Sequence, residues 1–142
     1  MANEAILLVQ GGLPINFTVA DGTGIEKGAI LEMTDPRTAV LGTTQNAKVA
    51  GIAAVEKIAG DGVTQLAVYR DGIFKVKLSG SANIGEPLGI WGTATYPNYV
   101  YSLVSIASQL SGSGIVGYAM ETAANGETLR MQLNPGYGAG AN

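Results

Sequence analysis

The chain has 142 residues, 46% of them hydrophobic and only 13% charged, with 21 glycines and neither histidine nor cysteine. The length fits one domain with a real apolar core, and the missing His and Cys remove the usual triads, thiol nucleophiles, zinc sites and disulfides. A formal net charge of −3, with basic residues scattered along the chain, argues against nucleic acid as a partner, because tracking phosphates needs a basic stripe.

Short apolar runs rich in Val and Ile alternate with Gly, Asp, Asn and Pro, the pattern of a small all-β domain with little or no helix. In chain order the predicted strands cover residues 4–9, 15–20, 29–33, 38–41, 49–56, 64–69, 73–79, 88–91, 99–106, 115–120 and 128–133. The best helical alternative, 102–110, is weakened by its serines and by the Ser111-Gly112-Ser113-Gly114 stop. No stretch approaches the ~18 apolar residues needed to cross a bilayer, and the N-terminus carries no basic region like that of a secretory signal. The expectation is therefore a soluble protein made in the cytoplasm, with no membrane partner.

Residues 1–14 read as an extended arm, because Gly11-Gly12-Leu13-Pro14 follows the apolar run Ile6-Leu7-Leu8-Val9. An apolar strand left unpaired invites aggregation, so this arm must join its own sheet, a neighbouring subunit or another partner strand. Residues 15–134 form the β-barrel body, and residues 135–142 a flexible tail with nothing to fix it.

The Arg70-Asp71-Gly72 loop fits a hairpin. A three-residue turn places Val68 opposite Phe74 and Leu66 opposite Val76, which segregates the faces, with Gly72 left-handed in a G1 bulge. A weak internal echo links Val49-Ala50-Gly51-Ile52-Ala53 with Ile115-Val116-Gly117-Tyr118-Ala119, each followed by a Gly turn and a Thr-led strand. Two similar hairpins on opposite sides of one barrel account for it.

No motif predicts catalysis. Glu26, Glu32, Asp35, Asp61, Glu86 and Glu121 mostly flank turns, where carboxylates are ordinarily solvated. Gly22-Thr23-Gly24 has no helix after it to hold a phosphate, and Asp61-Gly62 and Asp71-Gly72 lack the alternating oxygen ligands of a calcium loop. No catalytic residue, metal site or cofactor is expected. Trp91, Tyr96, Tyr99 and Tyr101 gather beside a Pro turn. Such a cluster packs its own loop, meets a protein partner or stacks on a sugar ring.

The order Gly24-Ile25-Glu26-Lys27-Gly28-Ala29-Ile30-Leu31, Val49–Ala53, Gly60-Asp61-Gly62, Gly72–Val76, Gly85-Glu86-Pro87-Leu88, Val116–Glu121 and Gly126–Leu129 resembles the head decoration (cement) proteins of tailed bacteriophages and related viruses. The resemblance spans roughly residues 20–134. It implies a compact, β-tulip-like barrel and a homotrimer at three-fold or quasi-three-fold positions. Such a protein lies on the outer surface of the virion head, binds the major capsid protein and stabilises the shell. The family has no catalytic residues to transfer. The arm (Ile6, Leu7, Leu8, Val9) and the aromatic segment (Trp91, Tyr96, Tyr99, Tyr101) are then the expected contacts, with the arm Ala5–Val9 expected to pair with a strand of a neighbouring subunit or of the capsid. Two other readings stand beside it. One is a carbohydrate- or peptide-binding β-module of a virion or cell-surface fibre, with the four aromatics as its platform. The other is a trimeric nucleotide-hydrolase-like enzyme, which needs carboxylates converging on a metal.

Overall fold

The computed structural model describes residues 3–91, 97–104 and 114–137. Among them the chain forms eleven β-strands and no helix: β1 (Ile6–Gln10), β2 (Ile15–Thr18), β3 (Ile30–Thr34), β4 (Thr38–Leu41), β5 (Val49–Ala53), β6 (Gln65–Tyr69), β7 (Gly72–Leu78), β8 (Pro87–Ile90), β9 (Tyr99–Ser102), β10 (Gly114–Ala119) and β11 (Thr128–Tyr137). Each overlaps a strand expected from alternation, and β4 matches it end to end. The protein is all-β as predicted, but the body is two barrels rather than one.

Strands β2–β6 close a five-stranded barrel, and β7–β11 close a second, with β1 added to β7. The two have the same connectivity. In each, the first strand runs parallel to the third and antiparallel to the fifth, while the second pairs with the third and fourth, and the fourth with the fifth. The registers superpose residue on residue. Leu31 lies opposite Leu41 and Gly51 in the first barrel, as Leu88 lies opposite Ser102 and Gly117 in the second. The isolated bridges Ile25–Lys57 and Ala82–Ala123 also correspond. The echo at 49–53 and 115–119 is thus the visible trace of a tandem duplication, one copy in each barrel.

Equivalent positions fill the two interiors. Phe17, Leu31, Ala39, Ala50, Leu66 and Val68 line the first barrel, and Val76, Leu88, Val100, Val116, Leu129 and Met131 stand at the matching places in the second. With few aromatics, the cores rest on aliphatic burial, worth roughly 1.5–3 kcal/mol for each large side chain.

The predicted hairpin at residues 70–72 does not form, because β6 and β7 belong to different barrels. β6 has β2 and β5 at its edges. Face segregation alone could not reveal this, since Leu66 and Val68 point into one barrel and Val76 and Leu78 into the other with the same alternation. Gly72 has φ +123° but is not a G1 bulge. It opens β7, opposite Gln10 and Leu133, and its N–H donates to the Asp71 carboxylate at 2.8 Å.

The tail is also shorter than expected. β11 continues through Gly136 and Tyr137, which lie opposite Ile115 and Gly114. Pro135 falls where the register shifts, so its missing N–H breaks no regular ladder there. Residues 138–142 of the predicted tail, and most of the helical alternative at 102–110, lie outside the described residues.

The barrels share one core. Ile30, Val49 and Ile52 turn outward from the first barrel into the cluster that fills the second. The Tyr69 and Phe74 rings meet at 5.6 Å. Two asparagines stitch the joint. Asn98, buried with φ +62°, accepts the Ile30 N–H at 3.0 Å. Asn46, with φ +65°, donates its N–H to Ile90 O and accepts the Gly114 N–H.

Candidate interaction surface

Contrary to the expectation of a strand from a neighbouring subunit or the capsid, the arm is docked on its own chain. β1 runs antiparallel along β7, with Ile6 opposite Lys75 and Gln10 opposite Gly72, so its partner strand lies within the same subunit. Ala5 donates its N–H to Gly28 O at 2.8 Å, and Ala5 and Leu7 pack against the shared core. A bulge between Leu7 and Val9 leaves Leu8 as the extra residue.

This pairing fixes what the arm presents. β1 has β7 on one edge and, among the described residues, no strand on the other. Ile6, Leu8, Val9, Leu13 and Ile15 remain open to solvent, from 44% for Leu8 to 85% for Leu13. Five large apolar side chains within one short segment form the kind of exposed patch that marks a contact surface. Ile6 borders Lys75, Lys77 and Thr128, and Leu8 borders Lys75, Thr128 and Arg130. The basic residues, scattered in sequence, are therefore partly gathered by the β7–β11 register. Arg130 has the Glu121 carboxylate at 3.6 Å.

The predicted aromatic cluster divides. Tyr101 is buried against Leu103, Ile115 and Trp91, its ring edge-on to Trp91 at 5.2 Å and its hydroxyl donating to the Asn46 side-chain carbonyl. Burial pushes the Tyr101 hydroxyl pKa upward. Tyr101 is thus buried in a small cluster on the opposite face of β9 from Val100, separate from the barrel core, and unavailable for stacking on a ligand. Tyr96 lies outside the described residues. Tyr99 and Trp91 are half-buried, and the Trp91 N–H donates to Tyr99 O. Lys75 and Lys77 pair with β11 on one edge of β7, while Ile6 and Tyr99 meet them on the other. The arm and the end of the aromatic segment, far apart in sequence, thus follow one another along a single strand edge.

A buried cation went unseen in the sequence. The Lys57 ammonium donates to Asp21 O at 2.7 Å, Ile58 O at 3.2 Å and Asp61 Oδ1 at 3.1 Å. Asp61 also accepts N–H bonds from Val63 and Ile58. These, led by the Val63 bond and joined by Lys57, hold its carboxyl below the usual range. All three donors of Lys57 have acceptors, so it ties the Asp21 turn to the Ile58–Asp61 turn and is a structural group. Its counterpart is Ala123, and the alignment of the two repeats is the signal that could have marked position 57 as buried. We expect Lys57→Ala to cost about 2–3 kcal/mol, read from the denaturation midpoint at pH 7. Asp61 has a lowered folded-state pKa, so its contribution is present above the unfolded value and lost as pH falls through the folded one. The variant should therefore lose less stability on acidification below pH ~4 than the parent does.

Among the described residues, no group of three acidic side chains gathers to hold a metal ion. A groove of about 330 Å³ between the barrels is bordered by Met33, Lys48, Val49, Arg70 and Gly136. Arg70 there is committed, its Nε donating to Ala50 O and its guanidinium lying over Phe17.

No protein-family description matches this chain, and no curated protein matches it. Among solved structures, the N base of head fiber gp8.5 of bacteriophage phi29 is similar, with a TM-score of 0.51 at 16% identity over 84% of this chain and 93% of that one. At that identity the likeness is one of fold: the chain shares its all-β architecture with a phage head fiber base.

Proposed function

We propose that this protein is a non-enzymatic structural component of a tailed-virus head, a decoration protein that binds the outer surface of the assembled shell as a trimer and stabilises it. The observation that carries the reading is the fold shared with a phage head fiber base over nearly all of that chain. The apolar strip on β1, rimmed by Lys75, Lys77 and Arg130, supplies the surface. A ligand that binds only the assembled shell stabilises it by mass action, and three linked contacts raise its avidity. The major capsid protein is the partner, and the Ile6–Val9 strip with Tyr99 and Trp91 is the contact. Burial of Tyr101 weighs against a sugar-stacking platform.

The test is co-sedimentation with empty expanded heads, together with solution mass by light scattering. The reading expects a particle near three times 14.5 kDa that pellets with expanded shells and leaves unexpanded ones. Failure to pellet with any shell would refute it. Because the contact is chiefly apolar, affinity should fall by less than about tenfold between low and high salt.

A further inference from the structure

The duplication leaves two faces unfilled. At the joint within the chain, the outward face of the first barrel (Ile30, Ile52) meets Phe74 at the opening strand of the second. By the shared register, the positions equivalent to Ile30, Ile52 and Phe74 are Pro87, Tyr118 and Ile15. Each barrel therefore carries both halves of the joint, and one half of each remains unused. The unused halves are open and largely apolar, with Gln132 at the place of Tyr69. Tyr118 is 36% exposed with Met120 near it in the chain, and Ile15 is 45% exposed beside Leu13.

We infer that a second copy of this chain fills them, with the Tyr118–Met120 face of one copy seated on the Leu13–Ile15 face of the next. The contact repeats between subunits the joint that already holds the two barrels together within one. It is head-to-tail, because each copy offers one face of each kind. Such contacts close into a ring when the rotation between copies allows, and a ring of three copies places six barrels in succession. The inference rests on the proposed self-association and specifies which faces make it.

The absence of native cysteine makes the test clean. Ile15→Cys and Tyr118→Cys are purified separately, at solvent-exposed positions that tolerate the change. Each is treated with a short bis-maleimide, alone and in equal mixture, and read on denaturing gels beside light scattering of the parent protein. The expected result is a covalent dimer in the mixture, little or none with either variant alone, and covalent trimer from the double variant. A variant that links to itself would indicate a two-fold contact and overturn the inference. So would an oligomer whose mixture fails to link, or a parent protein that is monomeric at all concentrations. Shell binding separates the two proposals. A monomer that pellets with heads defeats the ring and spares the head reading, while a linked ring that ignores heads does the reverse.

Discussion

Gly51→Ala should destabilise the protein by about 3–5 kcal/mol and lower Tm by roughly 10 °C or more. Two independent effects converge at this position. Gly51 has φ +146°, a conformation that side chains rarely adopt, and a Cβ there would lie 2.0 Å from Tyr69 O. That contact is with backbone across the β5–β6 pair, so no rotamer change can relieve it. Gly117 is the equivalent residue of the second barrel, where a Cβ would lie 2.1 Å from Gln132 O, and Gly117→Ala should act similarly. Gly22→Ala serves as the control, because nothing lies within 4 Å of its Cβ position. It should stay within about 0.5 kcal/mol of the parent. An unchanged Tm for Gly51→Ala would mean that β5 and β6 do not approach as described. Loss from both glycines, with the larger loss at Gly51 where the positive φ adds to the contact, would confirm that the two barrels close by the same device.

The second large effect separates the two faces of β1. Leu7→Asp places a carboxylate against the shared core and should cost about 2–4 kcal/mol, visible as a lowered denaturation midpoint. The double change Ile6→Asp with Leu8→Asp alters only exposed side chains. It should leave stability within about 1 kcal/mol while reducing affinity for expanded heads at least tenfold, an effect read by co-sedimentation. Normal shell binding by a stable double variant would remove the strip from the proposed contact. Simple deletion of residues 1–12 is a poorer test. Deletion would strip β7 of its neighbour and the core of Ala5 and Leu7, so it cannot test binding alone.

Strand content was legible because period-2 alternation and turn residues are local signals. Partner choice was not. Leu66, Val68, Val76 and Leu78 alternate identically whether β6 and β7 form a hairpin or enter separate barrels, so the residues of the 70–72 turn pointed to the wrong topology. The duplication was nearly readable from Gly51 and Gly117, an equivalent pair at which a carbonyl of the adjacent strand leaves no room for a side chain. It was masked by substitutions such as Ile52 to Tyr118 and Lys57 to Ala123, which follow from different surroundings in the two copies. Of the candidate contact residues, the exposed members of the arm were identifiable as an apolar segment needing a partner. The partner strand, β7, begins more than sixty residues later and leaves no local mark on the arm. Tyr101 was drawn into the aromatic cluster by its spacing, whereas its burial depends on Leu103 and Ile115.

The pairing of β1 with β7 also sets an order of events during synthesis. The first barrel is complete once Tyr69 has emerged, yet the strand made before it has no seat until Lys75 follows. The opening segment must therefore wait, solvated, while its neighbours in sequence close behind it. Its attachment then becomes a step that cannot precede β7, since the edge that receives it is the first strand of the second barrel. A nascent chain stalled between the two barrels would expose Ile6–Val9 to proteases and chaperones, and one released in full would not.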